Sequence, residues 1–408
     1  MELAAMSGLI ILGLAGIAPP DTIFSGFGHP ALATIVAVFL VSQGITNSEL
    51  LRGLGQSLAR RTHSLRGQII GTAAVSSLLS AFMNNVGAVG LMLPTAVRMA
   101  KRAGRTPGTF GYPLAVASIL GGSTTLIGSA PNIIIASYMF SSTGQPFKMF
   151  DYAPHGLAML TTALVLWLVC KSCGLDPGAD QEAVSGGSDR ESANPAYNYP
   201  EEDLSKSIDF APFATGQRQV TLAAILLAVT LVSFGLLHPG LGFGGAVLIL
   251  FFAGVLKPQD TSDAVDLKIV FFLGAMLGIG ETLEYTGALE HLSAYLANYT
   301  GALSPFWLIL LLIFVTAALS NAINNAAAAV FMAPVAVGMA ADGSLNTAAA
   351  LMAAAAGSNL TLLMPTHQAA LMVLSKAPFP LRSFMRFGLI LTPICGLAAA
   401  AVITLIWQ

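Results

Sequence analysis

Apolar stretches close to the length of a membrane span recur along this 408-residue chain and constrain its fold more than any other feature. A helix needs about 20 mostly apolar residues to cross the hydrocarbon core of a bilayer. Only 9% of the residues are charged, whereas soluble domains carry about 25%. The apolar stretches are Leu3–Ile17, Ala31–Ile45, Leu157–Cys170, Thr221–Leu237, Gly244–Leu256, Ile269–Ile279 and Phe387–Ile406. The chain is therefore predicted to be an all-α polytopic membrane protein.

A polar segment divides the chain into two apolar halves. Asp176–Thr215 is rich in Ser, Gly, Asp, Glu and Pro, and such a composition cannot bury enough apolar surface to fold alone. We therefore predict a first transmembrane repeat at 1–175, a disordered cytoplasmic linker at 176–217 and a second transmembrane repeat at 218–408. Cys170 and Cys173 form a C-x-x-C without a second ligand pair, so a helix end is preferred to a metal or redox site.

The two halves carry similar blocks in the same order. Ser80–Pro94 reads SAFMNNVGAVGLMLP and Ser320–Pro334 reads SNAINNAAAAVFMAP, so Ser, Asn-Asn and Pro recur at a constant spacing of 240 residues. Downstream, Gly121–Asn132 reads GGSTTLIGSAPN and Gly357–Gln368 reads GSNLTLLMPTHQ. Internal repeats in polytopic proteins are typical of transporters, with the binding site near the midplane between the repeats.

The basic residues predict how the two halves enter the membrane. Cytoplasmic loops carry an excess of Lys and Arg, and clusters of these residues flank the first Asn-Asn block: Arg52, Arg60, Arg61, Arg66, Arg98, Lys101, Arg102 and Arg105. A re-entrant hairpin at about 67–100 is preferred, and two full spans would satisfy the same charges. The hairpin at about 305–340 has no Lys or Arg nearby and is expected to enter from outside. The halves are thus predicted to be inverted repeats, each with a hairpin and a broken helix.

Two consecutive asparagines inside each hairpin are costly in a bilayer unless they are paired or bind a ligand. Helix capping or interhelical hydrogen bonding is the simpler interpretation. On the functional interpretation, the helix after each tip directs its positive end at an anion, and Asn and carbonyl oxygens coordinate sodium. The hairpins and breaks contain no Asp or Glu: Gly67–Ala100, Pro113–Phe140, Pro305–Ala340 and Ala348–Leu374. This absence argues against proton coupling.

These blocks resemble the divalent anion–sodium symporter family of the citrate/ion transporter superfamily. The resemblance implies a homodimer with elevator-type alternating access, which couples a small divalent anion to sodium ions. The substrate-binding positions that it implies are Asn84, Asn85, Val86, Asn324, Asn325, Ala326, Thr366 and His367. The sodium-binding positions that it implies are Ser80, Asn84, Asn85, Gly128, Ser320, Ile323, Asn325, Met364 and Pro365.

The chain departs from that family at the hairpin tips. Val86 and Ala326 stand where its dicarboxylate carriers have threonine, which leaves a sulfate-like oxyanion open beside a di- or tricarboxylate. The alternatives are an oxyanion efflux permease or a sodium/proton antiporter of the same superfamily, and a passive channel. An intramembrane enzyme would need a nucleophile–base or metal set that the sequence lacks. We expect a multi-pass protein of the plasma (inner) membrane.

The number of apolar segments before each hairpin also differs. Three precede the second hairpin and two precede the first, so either the true start is upstream or the first half is reduced. We expect about nine spans in addition to the two hairpins.

Overall fold

The computed structural model describes residues 2–48, 64–169, 215–265, 267–288, 291, 303–341, 343 and 345–408. Within these ranges the chain is helical and has no strand, so the predicted all-α membrane fold is confirmed. The helices are α1 (Glu2–Leu14), α2 (Pro20–Phe24), α3 (Pro30–Asn47), α4 (Leu65–Ser80), α5 (Asn85–Arg102), α6 (Gly108–Gly122), α7 (Ala130–Thr143), α8 (Ala153–Val169), α9 (Thr215–Ser233), α10 (Pro239–Phe252), α11 (Pro258–Ala264), α12 (Leu267–Tyr285), α13 (Pro305–Ala322), α14 (Asn325–Ala340), α15 (Thr347–Ser358), α16 (Gln368–Lys376) and α17 (Leu381–Trp407).

Four segments of the described ranges are long and apolar enough to cross a membrane. They are Pro20–Asn47, Gly216–Ser233, Pro305–Ala322 and Leu381–Trp407. Pro305–Ala322 is the first arm of the second predicted hairpin and has 18 residues. Its length therefore suits a full span as well as a re-entrant arm, and the re-entrant placement stays a prediction.

Both Asn-Asn pairs lie at the turn between two helices. α4 and α5 form the first helical hairpin, over residues 65–102, and α13 and α14 form the second, over residues 305–340. Asn84 and Asn324 are the N-caps of α5 and α14; their side-chain oxygens accept hydrogen bonds from Val86 N at 3.2 Å and Ala326 N at 2.8 Å. Asparagine is among the preferred N-cap residues, which explains why a helix restarts at each tip.

The short helices α6 and α15 form the centre of the protein. Every residue of α6 is buried, and so is every residue of α15 after Thr347. A helix that is apolar on all sides is a buried one. α6 packs against both arms of the first hairpin and α15 against both arms of the second. Each of these two helices ends in an unwound segment, which leads to α7 and to α16 respectively.

The remaining long helices surround this centre. α8 packs on α6, α17 packs on α13 and α15, and α8 and α17 contact each other. Gly156 of α8 lies against the Ser123 carbonyl, and Gly388 of α17 lies against the Leu362 carbonyl. A side chain at either glycine would collide with the unwound backbone. On another side, α3 packs against α10 and α7, and α12 packs against α1 and α14.

The predicted linker falls mostly outside the described residues. Cys170, Cys173 and residues up to 214 belong to that part of the chain, as do Arg52, Arg60 and Arg61. α9 begins at Thr215, so residues 215–217 lie in a helix and not in the linker to which they were assigned. The division into two repeats with a linker stays a prediction.

Candidate functional site

A cavity of about 500 Å³ lies where the two hairpin tips meet the two unwound segments. Its polar lining residues come from both halves of the chain: Asn84, Asn85, Ser129, Asn324, Asn325, Thr361, Thr366, His367 and Gln368. The lining contains no Asp, Glu, Lys or Arg. A ligand in this cavity therefore meets neutral polar groups, and any charge it carries must be compensated by dipoles or by ions that bind with it.

Four helices begin at the cavity wall. The first residues of α5, α7, α14 and α16 all line it, namely Asn85, Ala130, Asn325 and Gln368. A helix N-terminus carries roughly half a positive charge and free backbone N–H donors. The N-cap of α7, Ser129, makes no side-chain cap hydrogen bond. The electrostatic character of this uncharged cavity is therefore positive, which favours an anion.

Behind the first tip, several oxygens converge on a pair of glycines. The Ser80 hydroxyl donates to Asn85 Oδ1 at 2.5 Å, and the Ser118 hydroxyl lies 3.1 Å from Ser80 Oγ and 3.0 Å from the Asn85 carbonyl. A Cβ added to Gly128 would lie 2.5 Å from the Gly122 carbonyl and 2.8 Å from the Ser80 carbonyl. Only glycine allows the backbone to approach these carbonyls so closely. A set of carbonyl, amide and hydroxyl oxygens suits a hard cation such as sodium.

Asn85 connects this oxygen cluster to the cavity. Its Oδ1 accepts from the Ser80 hydroxyl, and its Nδ2 lies 3.1 Å from His367 Nε2. His367 also caps α16, where Nδ1 accepts from Ala369 N at 3.1 Å. A neutral imidazole has one nitrogen lone pair, so while Nδ1 accepts from Ala369 N, Nε2 carries the proton and meets Asn85 Nδ2 as a polar contact and not as an acceptor. The amide of Asn85 thus contacts both the oxygen cluster behind the first tip, which suits a cation, and His367 in the wall of the cavity, which favours an anion.

The second tip is organised differently. The Ser320 hydroxyl donates to the Ser358 carbonyl at 2.7 Å, and Asn325 Oδ1 accepts from Ala326 N at 2.9 Å. Asn325 is half-buried, whereas Asn85 is only 3% exposed. The second set of predicted sodium ligands is therefore less convergent than the first.

Asn321 fixes the unwound segment after α15. Its Nδ2 donates to the carbonyls of Ala317 and Leu360 at 2.8 and 2.9 Å, and its Oδ1 accepts from Leu363 N and Met364 N at 3.0 and 3.1 Å. The side chain thus replaces the backbone hydrogen bonds that a continuous helix would make. Asn321 was not among the predicted site residues, although a polar side chain in the apolar helix α13 is a signal of such a role.

We expect Asn321→Leu to lower the free energy of unfolding by about 3 kcal/mol, because three backbone groups of the segment lose their partner. The melting temperature should fall by roughly 5 °C, measured on purified protein by a thermal shift assay. Gln217→Leu is the control, since its amide makes one long hydrogen bond at an exposed position, 3.4 Å to the Gly254 carbonyl. An Asn321→Leu protein as stable as this control would contradict the assigned role.

A buried polar network joins the two breaks, which are the unwound segments between α6 and α7 and between α15 and α16. Ser129 Oγ donates to Asn359 Oδ1 at 2.7 Å, and Asn359 Nδ2 donates to Asn132 Oδ1 at 2.9 Å. Asn132 Nδ2 donates to the Thr125 carbonyl at 2.8 Å, and Tyr152 OH donates to the Asn132 carbonyl at 2.8 Å. These side chains are at most 4% exposed. A fully paired buried network stabilises one arrangement of its members, so it fixes the first break against the second.

Most of the predicted site residues line the cavity. Those that do are Asn84, Asn85, Gly128, Ile323, Asn324, Asn325, Ala326, Pro365, Thr366 and His367. Ser80 and Ser320 are fully buried and lie behind the tips. Val86 and Met364 are not among the lining residues, and Met364 is 48% exposed. Asn321, Thr361 and the network of Ser129, Asn132 and Asn359 were not among the predicted site residues.

The described residues contain no group of three or more His, Cys, Asp and Glu side chains that could hold a metal ion. The polar groups at the cavity are amides, hydroxyls, one imidazole and backbone. Such a set can bind and desolvate a small anion and a monovalent cation, and it can release both without chemical change.

Comparison with known proteins gives related transporters. The sequence model of the citrate transporter family matches residues 1–357. An uncharacterized transporter of Synechocystis is 31% identical over 166 residues, which is 40% of this chain and 27% of that protein. Sodium/sulfate cotransporter 1 of Chlamydomonas reinhardtii is 28% identical over 154 residues, which is 36% of this chain and 18% of that protein. The chain thus matches less than a third of the length of these two relatives.

A solved structure has a similar fold. The YdaH transporter of Alcanivorax borkumensis superposes with a TM-score of 0.63 at 15% sequence identity, over 95% of this chain and 87% of that one. The family and the relatives are transporters, so the prediction that the chain is not an enzyme is confirmed, as is the resemblance to the divalent anion–sodium symporters. The family model covers most of the chain, and this protein therefore belongs to the citrate transporter family.

Proposed function

We propose that this protein is a sodium-coupled symporter of a small divalent oxyanion of the sulfate type. The observation that carries the proposal is the convergence of four helix N-termini on a cavity without charged side chains. Helix N-termini bind anions through backbone N–H groups and the helix dipole. The cavity contains no Lys or Arg that would hold a divalent anion by a full charge, so a co-transported cation is needed to balance it.

Sodium fits the oxygen cluster behind the first tip. The cluster presents neutral oxygens, and no carboxylate lines the cavity. A proton-coupled carrier usually needs a titratable acid within the membrane, whereas sodium needs only oxygens in a suitable geometry. The cotransporters of Chlamydomonas among the relatives carry sodium and sulfate in their names, which supports the same pair of ions here. A second sodium at the second tip is part of the proposal.

The proposed mechanism is elevator-type alternating access. α3 and α12 contribute only apolar residues to the cavity wall: Ile35, Val38, Phe39 and Phe272. The hairpins, the unwound segments and the first residue of α16 provide all of its polar side chains. An apolar wall has no hydrogen bonds to break when the opposite wall slides along it, so the hairpins and breaks are proposed to move as one body past α3 and α12.

The arrangement in the membrane completes the proposal. The two halves are proposed to be inverted repeats with re-entrant hairpins, in a homodimer of the plasma membrane with a cytoplasmic linker. Cysteine accessibility tests the topology: Arg66→Cys and Arg105→Cys should both react with an impermeant reagent from the cytoplasmic side. Labelling of either position only from outside would overturn this orientation.

Uptake of labelled sulfate into liposomes tests the function directly. We expect an inward sodium gradient to stimulate uptake by purified protein, while a potassium gradient of equal size does not. Succinate is measured in parallel, because a dicarboxylate has a similar charge and a larger size. Stimulation by a proton gradient alone, or no stimulation of either anion by sodium, would reject the sodium symporter and favour the antiporter or efflux alternatives.

A further inference from the structure

One residue that lines the cavity carries a buried hydroxyl without a partner. Thr361 lies in the unwound segment between α15 and α16, lines the cavity and is 1% exposed. Its Oγ1 makes no hydrogen bond within the part of the chain that the structure describes. Other buried polar atoms there also lack a partner, and of the residues that carry them only Thr361 lines this cavity.

The corresponding threonine of the first half shows what a structural hydroxyl does at this place. In the matched blocks Thr125 occupies the position of Thr361. Its hydroxyl donates to the Ala81 carbonyl and accepts from Gly128 N. Thr125 is therefore satisfied by the protein itself, and it holds the first break against the tip of the first hairpin. Thr361 stands at the same place in the second break without any such bond.

The unpaired hydroxyl of Thr361 lowers the stability of the protein, and the surrounding backbone keeps it unpaired. A buried hydroxyl without a partner destabilises the protein, and most buried polar groups have one. The backbone on both sides of Thr361 is fixed by Asn321, which binds the Leu360 carbonyl and Leu363 N. The segment therefore cannot shift easily to pair the hydroxyl within the protein. A partner supplied by the contents of the cavity would offset this cost.

We propose that the Thr361 hydroxyl is a specificity-determining ligand of the transported anion and donates a hydrogen bond to one of its oxygens. This inference rests on the proposed function and adds a residue to its binding site. An oxyanion oxygen is a strong acceptor, and its charge is favoured by the four helix N-termini around the cavity. The ligand class is an anion with several acceptor oxygens, such as sulfate.

Three isosteric substitutions separate a ligand from a structural group. Thr361→Val removes the unpaired hydroxyl of a residue that lines the cavity. Thr392→Val removes another buried and unpaired hydroxyl, on α17, in a residue that does not line the cavity. Thr125→Val removes the paired hydroxyl of the first half. The melting temperature of each full-length variant is measured in detergent with sodium over a series of sulfate concentrations, which gives both the ligand-free stability and the sulfate affinity.

We expect Thr361→Val and Thr392→Val to melt at or above the wild-type temperature without sulfate, because each removes an unsatisfied buried group. Thr361→Val should bind sulfate about tenfold more weakly, the loss expected for one hydrogen bond to a charged group, whereas Thr392→Val should bind it as the wild type does. Thr125→Val should lower the melting temperature without sulfate.

Three results would overturn the assignment of Thr361. The first is a wild-type sulfate affinity in Thr361→Val. The second is a melting temperature of Thr361→Val below that of the wild type without sulfate. The third is a weaker sodium affinity of Thr361→Val at unchanged sulfate affinity, which would make the hydroxyl a cation ligand. The failure of the proposed function looks different. In that case sulfate, phosphate and succinate would all leave the wild-type melting temperature unchanged in sodium, and the inference would fall with it.

Discussion

Replacing Asn85 with alanine is expected to reduce sodium-stimulated sulfate uptake at least about 100-fold, while the protein still folds. The substitution removes Oδ1 from the oxygen cluster behind the first tip and Nδ2 from its contact with His367. Each polar contact to a charged ligand or its direct support is worth about 1.5–3 kcal/mol, and a tenfold change in affinity is about 1.4 kcal/mol. Folding should survive because Ser118 still reaches Ser80 Oγ and the carbonyl of residue 85.

Two further variants identify the cause of that loss. Asn85→Asp keeps an oxygen for the cation and has nearly the same shape, so it should bind sodium at least as tightly as the wild type. It should transport sulfate poorly, because it adds a negative charge to the anion cavity. Asn346→Ala is the matched control: its side chain caps α15 by accepting from Ala348 N at 2.9 Å, and it is exposed. That variant should lose about 1 kcal/mol of stability and retain uptake.

The same substitution at the second tip tests whether a second sodium binds there. Asn325→Ala should lower the stability of the protein less than Asn85→Ala does, since Ala326 N keeps its hydrogen bond to Asn324. It should still abolish coupled transport if its amide oxygen coordinates a cation. Wild-type sodium dependence in Asn85→Ala would reject the assignment of the first tip, and the same result in Asn325→Ala would reject that of the second.

The helix ends at the two tips follow from local signals in the sequence. An asparagine pair at the end of an apolar, glycine- or alanine-rich arm is both a breaking point and an N-cap, and the structure caps α5 and α14 with Asn84 and Asn324. The breaks after α6 and α15 have a similar local cause, because Gly128, Pro131 and Pro365 interrupt otherwise apolar stretches. Local chemistry decides where a helix ends, so single-residue patterns suffice.

The partners of the polar side chains could not be predicted in this way. Thr125 and Thr361 occupy matched positions in the blocks, yet one hydroxyl is paired with Ala81 and the other is unpaired. Asn132 and Asn359 lie 227 residues apart in the chain and meet at 2.9 Å. Whether a polar group is satisfied depends on the packing of distant elements, which spacing along the chain does not encode. The difference between the two tips has the same origin.

Close packing at Gly121 should be the most sensitive structural feature of the transport site. A Cβ at this position would overlap the carbonyl, Cα and carbonyl carbon of Ser77, because α6 crosses the first arm of the hairpin at that point. Gly357 makes the equivalent close approach to the Ile313 carbonyl, at 2.5 Å from an added Cβ. Small residues allow helices in membranes to approach this closely. The backbone contact sets the distance between the buried helix and the arm that ends at Ser80.

We therefore expect Gly121→Ala to push α4 away from α6 and to lower sulfate uptake at least about tenfold, with a loss of stability of about 1–3 kcal/mol from overpacking. Gly245→Ala on α10 is the matched control, since an added Cβ there meets no atom within 4 Å; its uptake and melting temperature should equal or exceed those of the wild type.

Because Ser80 Oγ lies 2.5 Å from Asn85 Oδ1, even a small displacement of α4 moves a predicted sodium ligand. The loss of uptake in Gly121→Ala should thus include a weaker sodium affinity, measured from the sodium dependence of uptake. If uptake fell while the sodium affinity stayed at the wild-type value, the crossing of α4 and α6 would support the fold without positioning the cation site.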